Sequence, residues 1–402
     1  MSTFLNNKRG FTLVEMIVVM LIFVVVIGIT GDAFNRIVTK NLSLTKSAES
    51  NISGIVGLEI MRADLESAGY GLPWSFSQPI TYTETSDAPG AGLNDNNSTY
   101  TDDTQNKVPR AVISINDYVS ADPEVAFNGS DVLAVRAQSV ATNAAAKRWT
   151  YIESEVLPAG NPSPVPHVWS SDNLSDTDRV IMIQPIAAMK PSNQLVMTGA
   201  VWSDEFSSYT NIGVPPVYND AEKKSDAYII YGVDGDTDLM RPFNRADYYI
   251  RRPAASEQGW VRLPQRCNPS TGVLFKGVVS HASADGHYQE LPLLECVMDM
   301  QVVYARKEPG SSETIDAADI SGLTPREIRE QIKEIKVYIL THEGGLDRSF
   351  TYPSATIVVG PGPGTGRTVN LSTLGGANWQ NYRWKVYRIV ARPNNLAGSI
   401  AR

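Results

Sequence analysis

The 402-residue chain has little of what catalytic and metal-binding proteins rely on. It contains two cysteines, Cys267 and Cys296, and four histidines, His167, His281, His287 and His342. Two thiols are too few for a disulfide scaffold or a four-thiolate metal site. No two histidines have the HExxH spacing that sets a pair of imidazoles on one helical face, and His281 and His287 share an Ala/Ser/Gly-rich stretch that reads as surface. A Gly-x-Ser-x-Gly nucleophile elbow is absent. Gly360-Pro361-Gly362-Pro363-Gly364-Thr365-Gly366-Arg367 has the glycines of a phosphate loop. Two prolines remove amide donors there and no Lys-Ser/Thr follows, so a hairpin or surface loop is predicted. Positive charge is also in deficit: 35 Lys and Arg against 43 Asp and Glu leave a net charge of −8. That balance gives no support to a general nucleic-acid binder. No cofactor is expected.

Calcium is the one metal with a trace in the sequence. Asp234, Asp236 and Asp238 alternate as in the first half of a calcium loop, but the sixth position is Leu239 and the twelfth Arg245, where glycine and a bidentate glutamate are wanted. A polar turn is the default reading there, and for the Asp- and Asn-rich stretch between Ser75 and Pro109 a solvated surface loop is preferred to a calcium site.

What the chain does have is one long hydrophobic run. From Phe11 to Ile29 the only polar side chains are Thr12 and Glu15, and the run nearly reaches the ~20 residues needed to cross a bilayer. Lys8, Arg9 and Gly10 stand directly before it. An acidic residue in such a segment costs roughly 2.5–3.5 kcal/mol at mid-helix and less near an end, so Glu15 calls for a partner. A cleaved secretory signal fits less well, because Thr30-Gly31-Asp32-Ala33-Phe34 offers no A-x-A-like site. Lys8 and Arg9 are answered by Arg36, Lys40 and Lys46 beyond the run, so basic residues alone do not set an orientation.

Lys8-Arg9-Gly10-Phe11-Thr12-Leu13-Val14-Glu15 resembles the prepilin processing site of type IV pilins and type II secretion pseudopilins. The resemblance implies that a prepilin peptidase cuts between Gly10 and Phe11 and N-methylates Phe11. Glu15, with Thr12 beside it, would then meet the Phe11 amine of a neighbouring subunit, offsetting the desolvation of both ions in a filament of packed helices. The implied partners are the peptidase, other major and minor pilins through the helix, an inner-membrane assembly platform and the lipid bilayer. Nucleic acid is not assigned. The implied location is a single-pass inner-membrane protein with its C-terminal domain in the periplasm, passing later into an extracellular fibre.

Beyond the run, Phe34, Val38, Leu42, Thr45, Ala48, Ile52, Ile55, Leu58, Met61, Leu65 and Ala68 recur at spacings of three and four. One helix from about Phe11 to about Ser67 is predicted, roughly 85 Å long at 1.5 Å per residue. Gly28, Gly31, Gly54 and Gly57 are its weak points, each costing about 1 kcal/mol relative to alanine. Gly69, Gly71 and Pro73 end it. The acidic, Arg62-bearing helix end followed by Ala68-Gly69-Tyr70-Gly71 is similar to PilW-type minor pilins. So are the strand Leu293–Tyr304 and the basic, aromatic Asn381–Arg388.

Short β-type runs follow, spaced as in antiparallel sheets. They lie near Val112–Ile115, Val132–Arg136, Val180–Ile183, Leu195–Val201, Tyr228–Tyr231, Tyr248–Arg252, Val261–Leu263 and Val273–Lys276. In Leu294–Tyr304, the even-numbered Leu294, Cys296, Met298, Met300, Val302 and Tyr304 are predicted to form one continuous apolar face. Thr324-Pro325-Arg326-Glu327 is a capping box opening a short helix. Lys336–Thr341 is the next strand, and Thr356–Val359 and Arg383–Ala391 are expected to close the sheet. An extracytoplasmic head permits a Cys267–Cys296 disulfide, worth on the order of 3–4 kcal/mol. Two buried thiols are the alternative.

The expected architecture is α+β and pilin-like: leader 1–10, membrane and filament-core helix 11–31, amphipathic helix 32–70 and β-rich head 71–402. The expected role is a structural minor pilin in pilus assembly, initiating or at the tip, and not an enzyme. A J-type pseudopilin of type II secretion and a tip adhesin or DNA-receptor head stay open beside it.

Overall fold

The computed structural model describes residues 12–76, 82–95, 108–153, 166–186, 192–195, 207–208, 227–235, 237–257, 262–362 and 364–397. The chain divides into two compact units, residues 1–51 and 52–402. A single helix, α1 (Leu13–Glu66), fills the described part of the first unit, and its last turns belong to the second. It stops where the sequence indicates. Gly69 and Gly71 take φ of 83° and 66°, a region open to glycine, and the Gly69 amide donates to the Arg136 carbonyl at 2.9 Å.

The second unit begins with short strands β1 (Ser75–Phe76), β2 (Val112–Ile115), β3 (Val132–Arg136) and β4 (Trp149–Glu153). Next come β5 (Arg179–Ile186), β6 (Ser192–Leu195), β7 (Ser207–Ser208) and β8 (Ala227–Asp234). The longer strands are β9 (Arg245–Arg251), β10 (Gly272–Val279) and β11 (Tyr288–Arg306), the last edged by β12 (Ile315–Ala317). After α2 (Pro325–Gln331) come β13 (Ile332–Glu343), β14 (Thr356–Val359), β15 (Arg367–Asn370), α3 (Leu371–Leu374), β16 (Arg383–Ala391) and α4 (Asn394–Ala397).

An eight-stranded sheet runs β16-β13-β11-β10-β9-β3-β2, with β12 beside β11, and every pair in it is antiparallel. A six-stranded sheet runs β1-β6-β5-β8-β4 with β7 on β5, and only its β1–β6 pair is parallel. The fold is therefore α+β, a long apolar N-terminal helix followed by a large antiparallel β domain.

The end of α1 packs on one face of the larger sheet. Leu58, Met61, Leu65 and Ala68 are buried together with Leu274, Leu293, Val297 and Met300. Burial of each large apolar side chain contributes roughly 1.5–3 kcal/mol. Gly57 decides how close the helix comes, since a Cβ built there would lie 2.0 Å from the Leu293 carbonyl oxygen. A Cβ on Gly54 would meet only the Leu294 Cδ1, at 2.7 Å. Gly57, expected to be a weak point, is where helix and sheet backbones approach. The sheet's other face packs Met298, Val303, Leu340 and Trp384 against Val359 and Val369.

Several expectations need correction. Phe34 and Ile55 are exposed and do not join the buried face of α1. The even-numbered face of β11 is broken: Cys296 has φ 59° and the β11–β13 register shifts between Val297 and Asp299. That bulge, an extra residue that reverses side-chain alternation, puts Val297 with Met300 and Val302, and turns Met298 to the opposite face. Residues 262–263 are not a strand, and Val261 lies outside the described residues, as do residues 196–201 of another expected strand. Among the described residues β14 pairs with β15 alone, in a separate hairpin, and does not join the larger sheet. His281 is buried rather than on the surface. Its Nδ1 accepts the Met240 amide at 3.2 Å and its Nε2 bonds Asn244 Oδ1 at 3.1 Å.

One buried charge network fastens the chain around residue 84 to the sheet. Glu84 Oε2 accepts from Arg136 at 2.7 Å and from Arg245 at 2.7 Å, while Asp95 pairs with Arg110 at 2.6 Å. Burial opposes ionisation of Glu84, yet Arg136 and Arg245 outweigh it and hold the carboxyl at about 2.

Candidate functional site on the N-terminal helix

Thr12 and Glu15 form a reciprocal cap at the start of α1. The Glu15 carboxylate accepts the Thr12 amide at 2.8 Å and its hydroxyl at 3.0 Å, and the Glu15 amide donates to Thr12 Oγ1 at 3.3 Å. The arrangement satisfies amide donors that a helix start leaves open and sets a negative charge at the positive end of the helix dipole. The Thr-x-x-Glu spacing is a legible capping signal, although from the sequence Glu15 is assigned only to the Phe11 amine of a neighbouring subunit. Among the described residues no cation pairs with Glu15.

From Leu13 to Gly31 the helix is long and apolar enough to cross a membrane, with mean hydropathy 2.9 and none of the segment buried within the chain. Leu13, Ile17, Leu21, Val24 and Ile29 are all exposed. Such an apolar stretch needs lipid or other helices around it. Thr30 does not break it, since its hydroxyl donates to the Val26 carbonyl at 2.7 Å. The processing residues Lys8, Arg9, Gly10 and Phe11 lie outside the described residues.

Residues 5–31 match the family described as "Prokaryotic N-terminal methylation motif". The N-terminus is of the prepilin type. The prepilin-type motif, together with the apolar helix behind it, supports a type IV pilin-like, membrane-anchored structural subunit rather than an enzyme. It implies processing by a prepilin peptidase and assembly with other pilins. Comparison with curated proteins and with solved structures returns no match to the chain.

The remaining sequence candidates sit in the head. Cys267 and Cys296 are joined in a disulfide, Cα to Cα 4.9 Å, both buried. Asp238 pairs with Arg179 at 2.9 Å and Asp234 accepts the Gly235 amide at 2.7 Å, while Asp236 lies outside the described residues. No group of three or more His, Cys, Asp or Glu side chains able to hold a metal occurs among the described residues.

The prepilin-type helix has a second polar point that the sequence did not single out. Glu59, Arg62 and Glu66 form an exposed ladder at 3.1 and 3.0 Å. Asp64 instead turns inward and contacts both Lys276 Nζ and the Tyr248 hydroxyl. Burial raises the Asp64 carboxyl above its usual range, and Lys276 opposes the shift. An acid flanked by Ala63 and Leu65 on an amphipathic helix was the available signal.

Proposed function

We propose that the chain is a minor pilin that is cut after Gly10, N-methylated at Phe11 and assembled through α1 into a type IV pilus. The observation that carries this is Glu15, a carboxylate one turn into a membrane-length apolar helix. Among the described residues its hydrogen bonds come from Thr12 alone and no cation is supplied. Hydrogen bonds from Thr12 ease its desolvation but do not cancel its charge. Proteolysis after Gly10 would create an amine at Phe11, and the same amine on a neighbouring subunit is the natural counter-ion. The pairing would set the axial register of adjacent helices.

The 71–402 head is large against the helix that carries it, which favours few copies, at a tip or in an initiating complex. PilW-type character rests on Ala68-Gly69-Tyr70-Gly71 and on the late strands. Mass spectrometry of the protein from cells tests the reading: an N-methyl-Phe11 terminus supports it, and an intact Met1–Gly10 segment overturns it. Subunit counting in purified fibres tests the copy number, and abundance equal to the main pilin would refute a tip or initiating role. Loss of protein secretion with pili intact, on deletion, would reassign the chain to a secretion pseudopilus.

A further inference from the structure

The outer strand of the smaller sheet, β4, carries aromatic rings that the head does not use for its core. Trp149 and Tyr151 are two residues apart, so they share one face of the strand. The chain around residue 167 runs along the outer edge of β4. There the His167 amide donates to the Tyr151 carbonyl at 2.9 Å, and the Thr150 hydroxyl donates to the His167 carbonyl at 2.5 Å. This sets His167 and Trp169 against the two strand residues. Ring centroids are 5.0 Å apart for Trp149 and Trp169, 4.8 Å for Tyr151 and His167, and 4.5 Å for His167 and Trp169. Among the described residues none of the four rings packs into a hydrophobic core. Trp149 is 38% exposed, and Val168 is 70% exposed.

Core burial therefore does not account for the placement of these rings, yet Trp169 is firmly held. Its indole N–H donates to the Trp149 carbonyl at 2.8 Å and its amide to Asn173 Oδ1 at 2.8 Å. Its carbonyl accepts the Asn173 side-chain amide at 2.8 Å. A ring fixed in advance loses little entropy on meeting a ligand. Both indoles line an open cleft of about 270 Å³, at the small end of ligand sites. Lys147, Asp172 and Ser171 line it too, and the Ser171 hydroxyl donates to Asp172 Oδ2 at 3.1 Å. Arg148 is the remaining charge, and it is paired with Asp178 at 3.3 Å.

The balance of charge selects the occupant. A nucleic-acid strand needs a positively charged groove along its phosphates, whereas here one ammonium faces one carboxylate and the guanidinium is already paired. An extended peptide needs a free strand edge, and His167 occupies that of β4 at Tyr151. An alkyl chain would cover Lys147 and Asp172 without giving them partners. A neutral sugar ring meets each demand. Its axial C–H groups present an apolar face to an indole, and its hydroxyls both donate to Asp172 and accept from Lys147. We propose that this cleft binds a neutral glycan through one gluco-configured pyranose, whose equatorial hydroxyls leave both ring faces apolar. The sugar would lie on Trp149 and Trp169, with its hydroxyls at Lys147, Ser171 and Asp172. The proposal stands apart from the filament reading, since nothing in it requires processing at Gly10.

Isothermal titration of the full chain in a sugar-free detergent tests it, with cellotriose as probe. Cellotriose is expected to bind at millimolar concentration or below. Sorbitol, an open-chain polyol with no ring face, is expected to bind at least tenfold more weakly. Trp169→Ala is expected to cost at least tenfold, and Trp169→Phe, which keeps a ring, to cost less. Asp172→Ala is expected to weaken binding severalfold. Thermal melting of each variant separates lost binding from lost folding, and Asp172→Ala, at an exposed residue, carries the test if Trp169→Ala melts early. No heat at millimolar cellotriose, equal binding of sorbitol, or unchanged affinity in either alanine variant would overturn the assignment. An oligothymidine that binds more tightly than cellotriose would overturn it in favour of single-stranded nucleic acid.

Discussion

Replacing Gly57 with alanine sets two known effects against each other. In an exposed helix interior the change stabilises by about 1 kcal/mol, because alanine is the better helix former. Here the new Cβ would meet Leu293 backbone: its carbonyl oxygen at 2.0 Å, its carbonyl carbon at 2.6 Å and its Cα at 2.8 Å. No rotamer relieves a clash with backbone, so α1 must lift away from β11 by about 1 Å or more to restore ordinary contact distances. A gap of that size forfeits a quarter to a half of the contact energy across it. Leu58 and Met61 sit beside Gly57 in the same buried face, each worth roughly 1.5–3 kcal/mol, so the loss is about 1–3 kcal/mol. After the propensity gain, Gly57→Ala should destabilise the head by up to about 2 kcal/mol and lower its melting temperature by as much as a few degrees. Gly54→Ala is the control, because its Cβ meets only the mobile tip of Leu294, and it should be near neutral. Thermal unfolding of both variants by circular dichroism decides the matter. A Gly57→Ala protein that melts at or above the parent, or two variants that behave alike, would refute the reasoning.

Four further outcomes are expected. Glu15→Ala should be processed at Gly10 but enter fibres poorly, as read by subunit counts in sheared pili, and wild-type incorporation would remove the register role of Glu15. Asp64→Ala should cost about 3–5 kcal/mol in denaturant melts, because it strands the buried Lys276 ammonium, whereas Asp64→Ala with Lys276→Met should recover most of that loss. Replacing Cys267 and Cys296 with serine should lower stability by up to about 3.6 kcal/mol for a loop of this length; reductant should destabilise the parent similarly and leave the double variant unchanged. Asp299, an acid whose folded pKa of about 7 exceeds its unfolded value, binds a proton in the native state over a window where the unfolded chain does not. Its contribution to stability therefore declines as pH rises from about 4 through 7, and Asp299→Asn should flatten that part of the stability–pH curve.

Much of the architecture was legible because it is local. Thr324 and Glu327 sit in register as a capping box, and the box opens α2. Val112–Ile115 and Val132–Arg136 are strands at the expected residues. The α1 terminus followed from two glycines and a proline, and the N-terminal motif from eight consecutive residues. What was not legible depends on distant partners. Glu84 is held by Arg136 and by Arg245, far along the chain, and nothing near Glu84 marks it as buried. The parity of β11 reversed at a bulge created by its partner strand, so an alternation count from Leu294 to Tyr304 crossed it unawares. β4 was missed since Trp149 and Tyr151 lie towards solvent on an edge strand, where no apolar face repeats. Asp64 looked like one more charge in an acidic helix end, because helical position alone does not say which charge turns inward.

The contact of Asp64 with Lys276 and Tyr248 bears on how the helix finds its place. Leu58, Met61, Leu65 and Ala68 repeat at helical spacing, so sliding α1 by one turn, about 5.4 Å, would exchange greasy residue for greasy residue at small penalty. The same slide would bring Ile60 or Ala68 opposite the lysine and leave a dehydrated cation facing hydrocarbon. Apolar burial supplies adhesion here without a position, and one acid in the seam acts as the detent that picks a single notch.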